Sequence, residues 1–232
     1  MNEKRILTAA VEQHSAMMLE AERYLFVCPE TGFKEWKSSA YMAAKFEQMG
    51  YTLTLAGDIP GFTALLDTGR PGPRICIIGE LDSLIVPDHP SADKETGAAH
   101  ACGHHAQCAA LLGVTAAMKG PHALDEMCGS ILFACVPAEE LIEMEYRKTL
   151  CQQGTIRYFS GKVEFMRRGL LDGVDIACMV HNADLEAFQF AIGPGNNGCI
   201  VKSIVYTGVA THAGYSPQKG VNALYAAQLG FQ

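Results

Sequence analysis

The chain has 232 residues, 49% of them hydrophobic and 19% charged, with a formal net charge of −7. That balance is ordinary for a soluble globular protein of one large domain, or of one domain and part of a second. The acidic excess and the lack of any Lys/Arg block argue against nucleic acid or an anionic membrane as partner.

Residues 4–25 carry apolar positions at helical spacing, among them Ile6, Leu7, Ala10, Met17, Met18, Leu19 and Tyr24. They predict one amphipathic helix ending near Cys28-Pro29. A second helix is expected over 38–49, stopped by Gly50. Tyr51 to Ala56 and Phe62 to Leu66 read as short strands joined through Gly57-Asp58-Ile59-Pro60-Gly61.

Three continuous apolar runs follow, at 74–79, 130–136 and 175–180. Runs apolar on both faces suit the buried strands of a parallel sheet. Helical stretches at about 104–119, closed by Gly120-Pro121, and about 162–169 separate them. Strand alternating with helix predicts an α/β sandwich. After Ile192 the texture changes. Residues 193–198, Gly-Pro-Gly-Asn-Asn-Gly, read as a hinge, Cys199 to Tyr206 as a strand and Asn222 to Gly230 as a helix. The predicted organisation is a catalytic unit over 1–192 and the first strand and helix of another over 193–232.

No apolar run approaches the roughly 20 residues of a membrane helix. The opening Met-Asn-Glu-Lys-Arg-Ile-Leu lacks the apolar core and cleavage site of a signal peptide. The expected location is the cytoplasm. Nine cysteines are present, and Cys76, Cys135 and Cys178 lie inside apolar runs. In that compartment they read as reduced core residues rather than a disulfide framework.

Each apolar run is followed closely by candidate ligands: Glu80 and Asp82, then Glu139 and Glu140, then His181. In open α/β sheets, sites form beyond the carboxyl ends of the strands. Three strands would therefore deliver acids and imidazole to one edge. Cys102-Gly103-His104 opens the helix beside them. Thiolate and imidazole suit borderline ions such as Zn²⁺, and Gly103 lets both side chains face one point. The bland alternative is a buried cysteine next to a helix-start histidine. Glu139-Glu140 can divide two tasks, one carboxylate binding metal and the other taking a proton from water; the alternative is a solvated acidic loop. Asp82 could orient a ligand or simply cap a turn, and His181 could be a core histidine. His104 and His105 point about 100° apart on a helix, so one of them is the ligand. The preceding glycine favours His104. His212 could donate to an oxyanion or lie in a surface loop.

These residues resemble the zinc aminoacylase/carboxypeptidase metallopeptidase family in its amidohydrolase branch, which includes hippurate, auxin-conjugate and aminobenzoyl-glutamate hydrolases. The markers are Gly79-Glu80-Leu81-Asp82-Ser83-Leu84, His100-Ala101-Cys102-Gly103-His104-His105-Ala106, Val136-Pro137-Ala138-Glu139-Glu140, Val180-His181-Asn182, and Thr211-His212-Ala213-Gly214 through Gly220-Val221-Asn222-Ala223-Leu224. The resemblance spans essentially the whole chain. It implies a zinc-peptidase-like three-layer sandwich with a mixed, largely parallel sheet, followed by the start of an α+β lid and dimerisation domain. It also implies two divalent ions (Zn²⁺, Mn²⁺ or Co²⁺) held by Cys102, His104, Glu140 and His181, with Cys102 bridging them. Glu139 would be the general base and Asp82 would stand behind the ligands. His212 and Asn222 would meet an N-acyl amino acid or peptide substrate in a homodimer.

Two departures stand out. The branch usually shows Cys-Gly-His-Asp-x-His, where this chain has Cys102-Gly103-His104-His105-Ala106-Gln107, and Asp-x-Asp where it has Glu80-Leu81-Asp82. Family members also run well past this length and supply a last histidine ligand. The chain is therefore expected to be a fragment or a truncated product, with its second metal site incomplete. Two alternatives remain open: a metal-poor, non-catalytic member that binds or assembles, and a cysteine hydrolase using Cys102.

Overall fold

A computed structural model describes residues 3–183, 191–193, 198, 200–202 and 204–231. The chain divides into two compact units, Met1–Ala191 and Ile192–Gln232.

In the first unit a five-stranded mixed sheet runs in the order β1-β2-β6-β3-β7. Its strands are β1 (Leu53–Leu55), β2 (Phe62–Asp67), β3 (Arg74–Glu80), β6 (Ser130–Val136) and β7 (Ile176–Cys178). β3 pairs parallel with both β6 and β7, whereas β2 pairs antiparallel with β6 and with β1. The short strands β4 (Leu84–Ile85) and β5 (Ala98–Ala99) form a separate antiparallel ribbon.

The period-two alternation of side chains along a strand sends β6 to both faces. Phe133 and Cys135 join a core with Ala21, Leu25, Met42, Phe46, Leu111 and Leu112. These come from α2 (Ser15–Phe26), α3 (Trp36–Gln48) and α4 (His104–Ala117). Leu132, Ala134 and Val136 face the other way, against Phe33, Ile156 and Phe165, the last of these on α6 (Gly161–Arg167). Helices on both faces make the expected three-layer α/β sandwich.

Some expectations need correction. The single N-terminal helix is two, α1 (Glu3–Gln13) and α2, parted at His14 with φ −98° and ψ 8°. The Ser15 hydroxyl donates to the Glu12 carbonyl at 2.6 Å, a local bond that competes with the helical ladder there. The third apolar run is not buried on both faces: β7 is exposed throughout and, among the described residues, pairs with β3 alone at the sheet edge. α5 (Met144–Gln152), between the second and third runs, was not anticipated.

In the second unit, α7 (Ala223–Gly230) forms where a helix was expected, and Asn222 Oδ1 accepts from the Leu224 amide at 2.9 Å as its N-cap. Val209 and Val221 make an isolated antiparallel bridge. The strand expected over 199–206 is not formed among its described residues, and Cys199 and Ser203 lie outside them. The hinge expected at 193–198 also falls mostly outside the described residues. Among the described residues no helix is long and apolar enough to cross a membrane, and eight cysteines are free thiols.

Candidate metal centre

The parallel pairing of β3 with β6 sets Glu80 level with Val136, and the Leu81 amide donates to the Val136 carbonyl at 2.9 Å. Glu80-Leu81-Asp82 therefore leaves the sheet beside Pro137-Ala138-Glu139-Glu140. On the other side of β3, Ile77 is level with Cys178; Glu80 and His181 each lie three residues further along. α4 starts at His104 just above these ends. Its N-cap, Gly103, has φ +104°, a backbone that an L side chain resists, and a β-carbon there would strike the Asn182 side chain.

Two groups of three potential ligands result, the atoms within each group lying within 4.8 Å of one another: Cys102, His104 and His181, and Glu80, His104 and Glu139. Cys102 Sγ is 3.4 Å from His181 Nε2. His104 Nε2 is 3.2 Å from Glu80 Oε2 and 4.0 Å from Glu139 Oε2. His104 is fully buried, and its Nδ1 donates to the Asp82 carbonyl at 2.9 Å with Asp82 Oδ1 at 3.2 Å. Metal-binding imidazoles are usually held this way, one nitrogen donating to carbonyl or carboxylate and the other turned to the ion. Among the described residues His104 Nε2 is buried without a hydrogen-bond partner, the Glu80 carboxylate lying 3.2 Å away as an ion-pair contact. Glu140 Oε1 and Asp82 Oδ1 are buried and unpartnered as well. Orphaned buried polar atoms are rare, and a divalent cation within the cysteine-histidine triplet would satisfy His104 Nε2. The donor set therefore fits a metal ion.

The electrostatics agree. Burial opposes the imidazolium of His104, but the Asp82 side chain and then the Glu80 charge overcome it and lift the pKa to about 9. Burial, followed by the neighbouring Glu140 carboxylate, pushes the Cys102 thiol up to about 12. Glu139 is raised by burial and then by the Glu80 charge, against the pull of Lys162. In all three the surrounding carboxylates push the same way, toward the protonated form.

No family model matches the chain, but individual proteins do. It is 26% identical to an indole-3-acetyl-aspartic acid hydrolase of Enterobacter agglomerans, over 96% of this chain and 58% of that one. It is 29% identical to one of the subunits of the p-aminobenzoyl-glutamate hydrolase of Escherichia coli, over 97% of this chain and 44% of that one. Its fold is shared by a dinuclear metal-binding peptidase of the M20 family from Bacillus subtilis, with a TM-score of 0.57 and 23% identity over 72% of this chain and 42% of that one. These likenesses agree with the resemblance to the aminoacylase/carboxypeptidase metallopeptidase family in its amidohydrolase branch. The chain spans about half the length of these relatives.

The other sequence candidates fall as follows. His105 points away from the cluster, its Nε2 lying 3.4 Å from Glu22 Oε1 and its ring 5.1 Å from that of Phe26. Glu140 belongs to neither ligand triplet; its amide donates to Asp82 Oδ2 at 2.8 Å. Asp82 thus ties His104 to the Glu139-Glu140 turn. His212 Nδ1 accepts from the Gly214 amide at 3.1 Å inside the second unit, and Asn222 caps α7 there.

Four residues that the sequence reading did not single out as site residues brace the centre. Gln107, on the same helical face as His104 three residues on, accepts from the Glu80 amide at 2.5 Å and donates to Glu80 Oε2 at 3.2 Å and to the Val180 carbonyl at 2.7 Å. Fully buried Glu35 accepts from the Ala138 amide at 2.7 Å, and Ala138 itself sits at φ +53°. Arg147, also fully buried, donates to the Glu140 and Phe159 carbonyls. Lys162 pairs with Glu80. Only Gln107 carried a local signal, its helical spacing from His104; the other contacts depend on the tertiary arrangement.

The start of α6 also shapes the turn. The Gly161 amide donates to the Ala138 carbonyl at 3.1 Å, and a β-carbon at Gly161 would collide with the Pro137 carbonyl oxygen. Gly161→Ala is therefore expected to destabilise the chain by about 1–3 kcal/mol through overpacking against rigid backbone. Urea unfolding would detect it, and a midpoint equal to that of the parent would refute this packing account.

Proposed function

We propose that the chain carries the metal-binding and catalytic part of a metal-dependent amidohydrolase that cleaves the amide bond of N-acyl amino acids or short peptides. The observation that supports this most is the convergence of Cys102, His104 and His181, with the free Nε2 of His104 beside the carboxylate of Glu139. In this reading residues 1–192 form the catalytic domain and 193–232 open a lid and dimerisation domain. The protein acts as a homodimer in the cytoplasm.

Cys102, His104, Glu140 and His181 would hold the ion, Zn²⁺, Mn²⁺ or Co²⁺ being suited to these donors. Bound there, it supplies Lewis acidity to the scissile carbonyl and to the attacking water. The chain's own groups do the rest. Glu139 takes the proton from the water as its oxygen attacks the carbonyl carbon, and returns a proton to the amine nitrogen as the C–N bond breaks. Asp82 keeps His104 oriented and holds the Glu140 backbone. His212 and Asn222 are assigned to contact substrate.

Metal uptake tests the reading directly. A thiol lifted to about 12 and an imidazole lifted to about 9 both carry protons near pH 7.5, and both must lose them to bind an ion. Zinc binding should release roughly two protons per ion. Calorimetric titration in buffers of different ionisation enthalpy would count them, and Cys102→Ala should lower the count to roughly one. Absence of saturable zinc binding would instead favour a metal-poor binding protein.

A further inference from the structure

The second ligand triplet, Glu80, His104 and Glu139, is faced by a cation of the protein's own. Lys162 Nζ pairs with Glu80 Oε1 and lies 3.8 Å from Glu139 Oε1. The other oxygens of the same carboxylates, both Oε2, are the ones turned to His104. Glu80 is fully buried, so its charge requires a partner. The ammonium supplies it on one oxygen, and Gln107 Nε2 takes a hydrogen-bond position on the other at 3.2 Å. The lysine is firmly placed. It is the second residue of α6, whose first residue is bonded to the Ala138 carbonyl, in the turn that carries Glu139.

We propose that Lys162 supplies the second positive charge of this centre, so that the chain takes one divalent ion, at Cys102, His104 and His181, while the ammonium stands in for a second at Glu80 and Glu139. The inference rests on the metal-dependent reading above and refines it. A divalent ion at the second triplet would have to rely on Glu80 and Glu139, because the single lone pair of His104 Nε2 is given to the first ion, and it would be repelled by the ammonium charge beside both carboxylates. A neutral side chain at position 162 removes the competitor and leaves Glu80 buried without a cation, which favours capture of a second ion.

The decisive quantity is metal stoichiometry in the whole chain. Protein equilibrated with excess ZnCl₂ and freed of loose metal by gel filtration would be measured by elemental analysis and native mass spectrometry. One zinc per chain is expected for the parent and for Lys162→Arg, and two for Lys162→Met. Lys162→Gln keeps a hydrogen bond to Glu80 and provides a second neutral variant should the methionine form fail to fold; two zinc ions are expected there as well. Two ions in the parent, or one in the neutral variants, would overturn the role of Lys162. If Cys102→Ala still abolished the single ion in that case, the metal-dependent reading would stand. No zinc in any form would overturn both.

Discussion

Glu139→Gln is expected to lower kcat for N-acyl amino acid hydrolysis by about 10²–10⁴-fold, the usual contribution of a positioned general base, while leaving bound metal unchanged. The reasoning is geometric. Glu139 is half-buried, with one oxygen 4.0 Å from His104 Nε2 and the other 3.8 Å from Lys162 Nζ. It borders the centre without belonging to the cysteine-histidine triplet. The glutamine is close in shape but cannot accept the proton from water, so the loss should appear in kcat, with KM little changed. Burial, then the charge of Glu80, holds the Glu139 pKa above the ordinary carboxylate range. The activity of the parent should therefore fall as pH drops through that raised value, as Glu139 protonates and ceases to act as a base, and the residual activity of the variant should lack this limb. Steady-state kinetics paired with elemental analysis would check both points. A variant that retained full kcat would remove Glu139 from the mechanism, and one that lost its metal would show it to be a ligand instead.

The largest stability effect is expected at Glu164, on the same helix as Lys162. Its side chain is fully buried and accepts from the Arg157 and Tyr158 amides at 3.0 and 3.2 Å and from Arg167 Nε and Arg168 Nε at 3.0 and 2.9 Å. Burial opposes its charge, but the Arg167 bond, followed by the others, outweighs burial and brings the pKa down to about 2. The folded pKa lies below the unfolded one, so the stabilisation is fully present above about pH 4.5 and fades as pH falls toward 2. Glu164→Gln removes the charge yet keeps an acceptor. At pH 7 it should cost about 3 kcal/mol, the worth of a shift of this size, and the gap from the parent should narrow below pH 4.5. Urea unfolding at pH 7 and pH 3 would measure it; an equal gap at the two pH values would mean that packing, not charge, is what the glutamate contributes. α6 also presents Lys162 to Glu80, so loosening it should disturb the centre as well.

Much of this architecture was written locally. Apolar runs at 74–79 and 130–136, short and preceded by Gly/Pro turns or glycine, point to strands buried on two faces. The placement of Glu80, Asp82, Glu139, Glu140 and His181 just beyond the runs then points to one sheet edge. Cys102-Gly103-His104 was legible for the same reason: a glycine between two donors permits the left-handed turn that starts α4. Where a local pattern was silent, packing between distant segments set the outcome. Periodicity did not reveal that the run at 175–180 is exposed and, among the described residues, pairs on one side alone, since apolar sequence does not encode a strand's place in the sheet. It did not locate the break at His14, beside which the Ser15 hydroxyl bonds the Glu12 carbonyl. Above all it did not pair Lys162 with Glu80, 82 residues away, or Glu35 with the Ala138 amide, 103 residues away. Local order along the chain settles which side chains follow the strand ends, because strand and helix propensities act over a few residues. The parallel register of β3 with β6 and the docking of α6 onto the turn after β6 decided their partners, because long-range charge pairing is settled only when those elements pack.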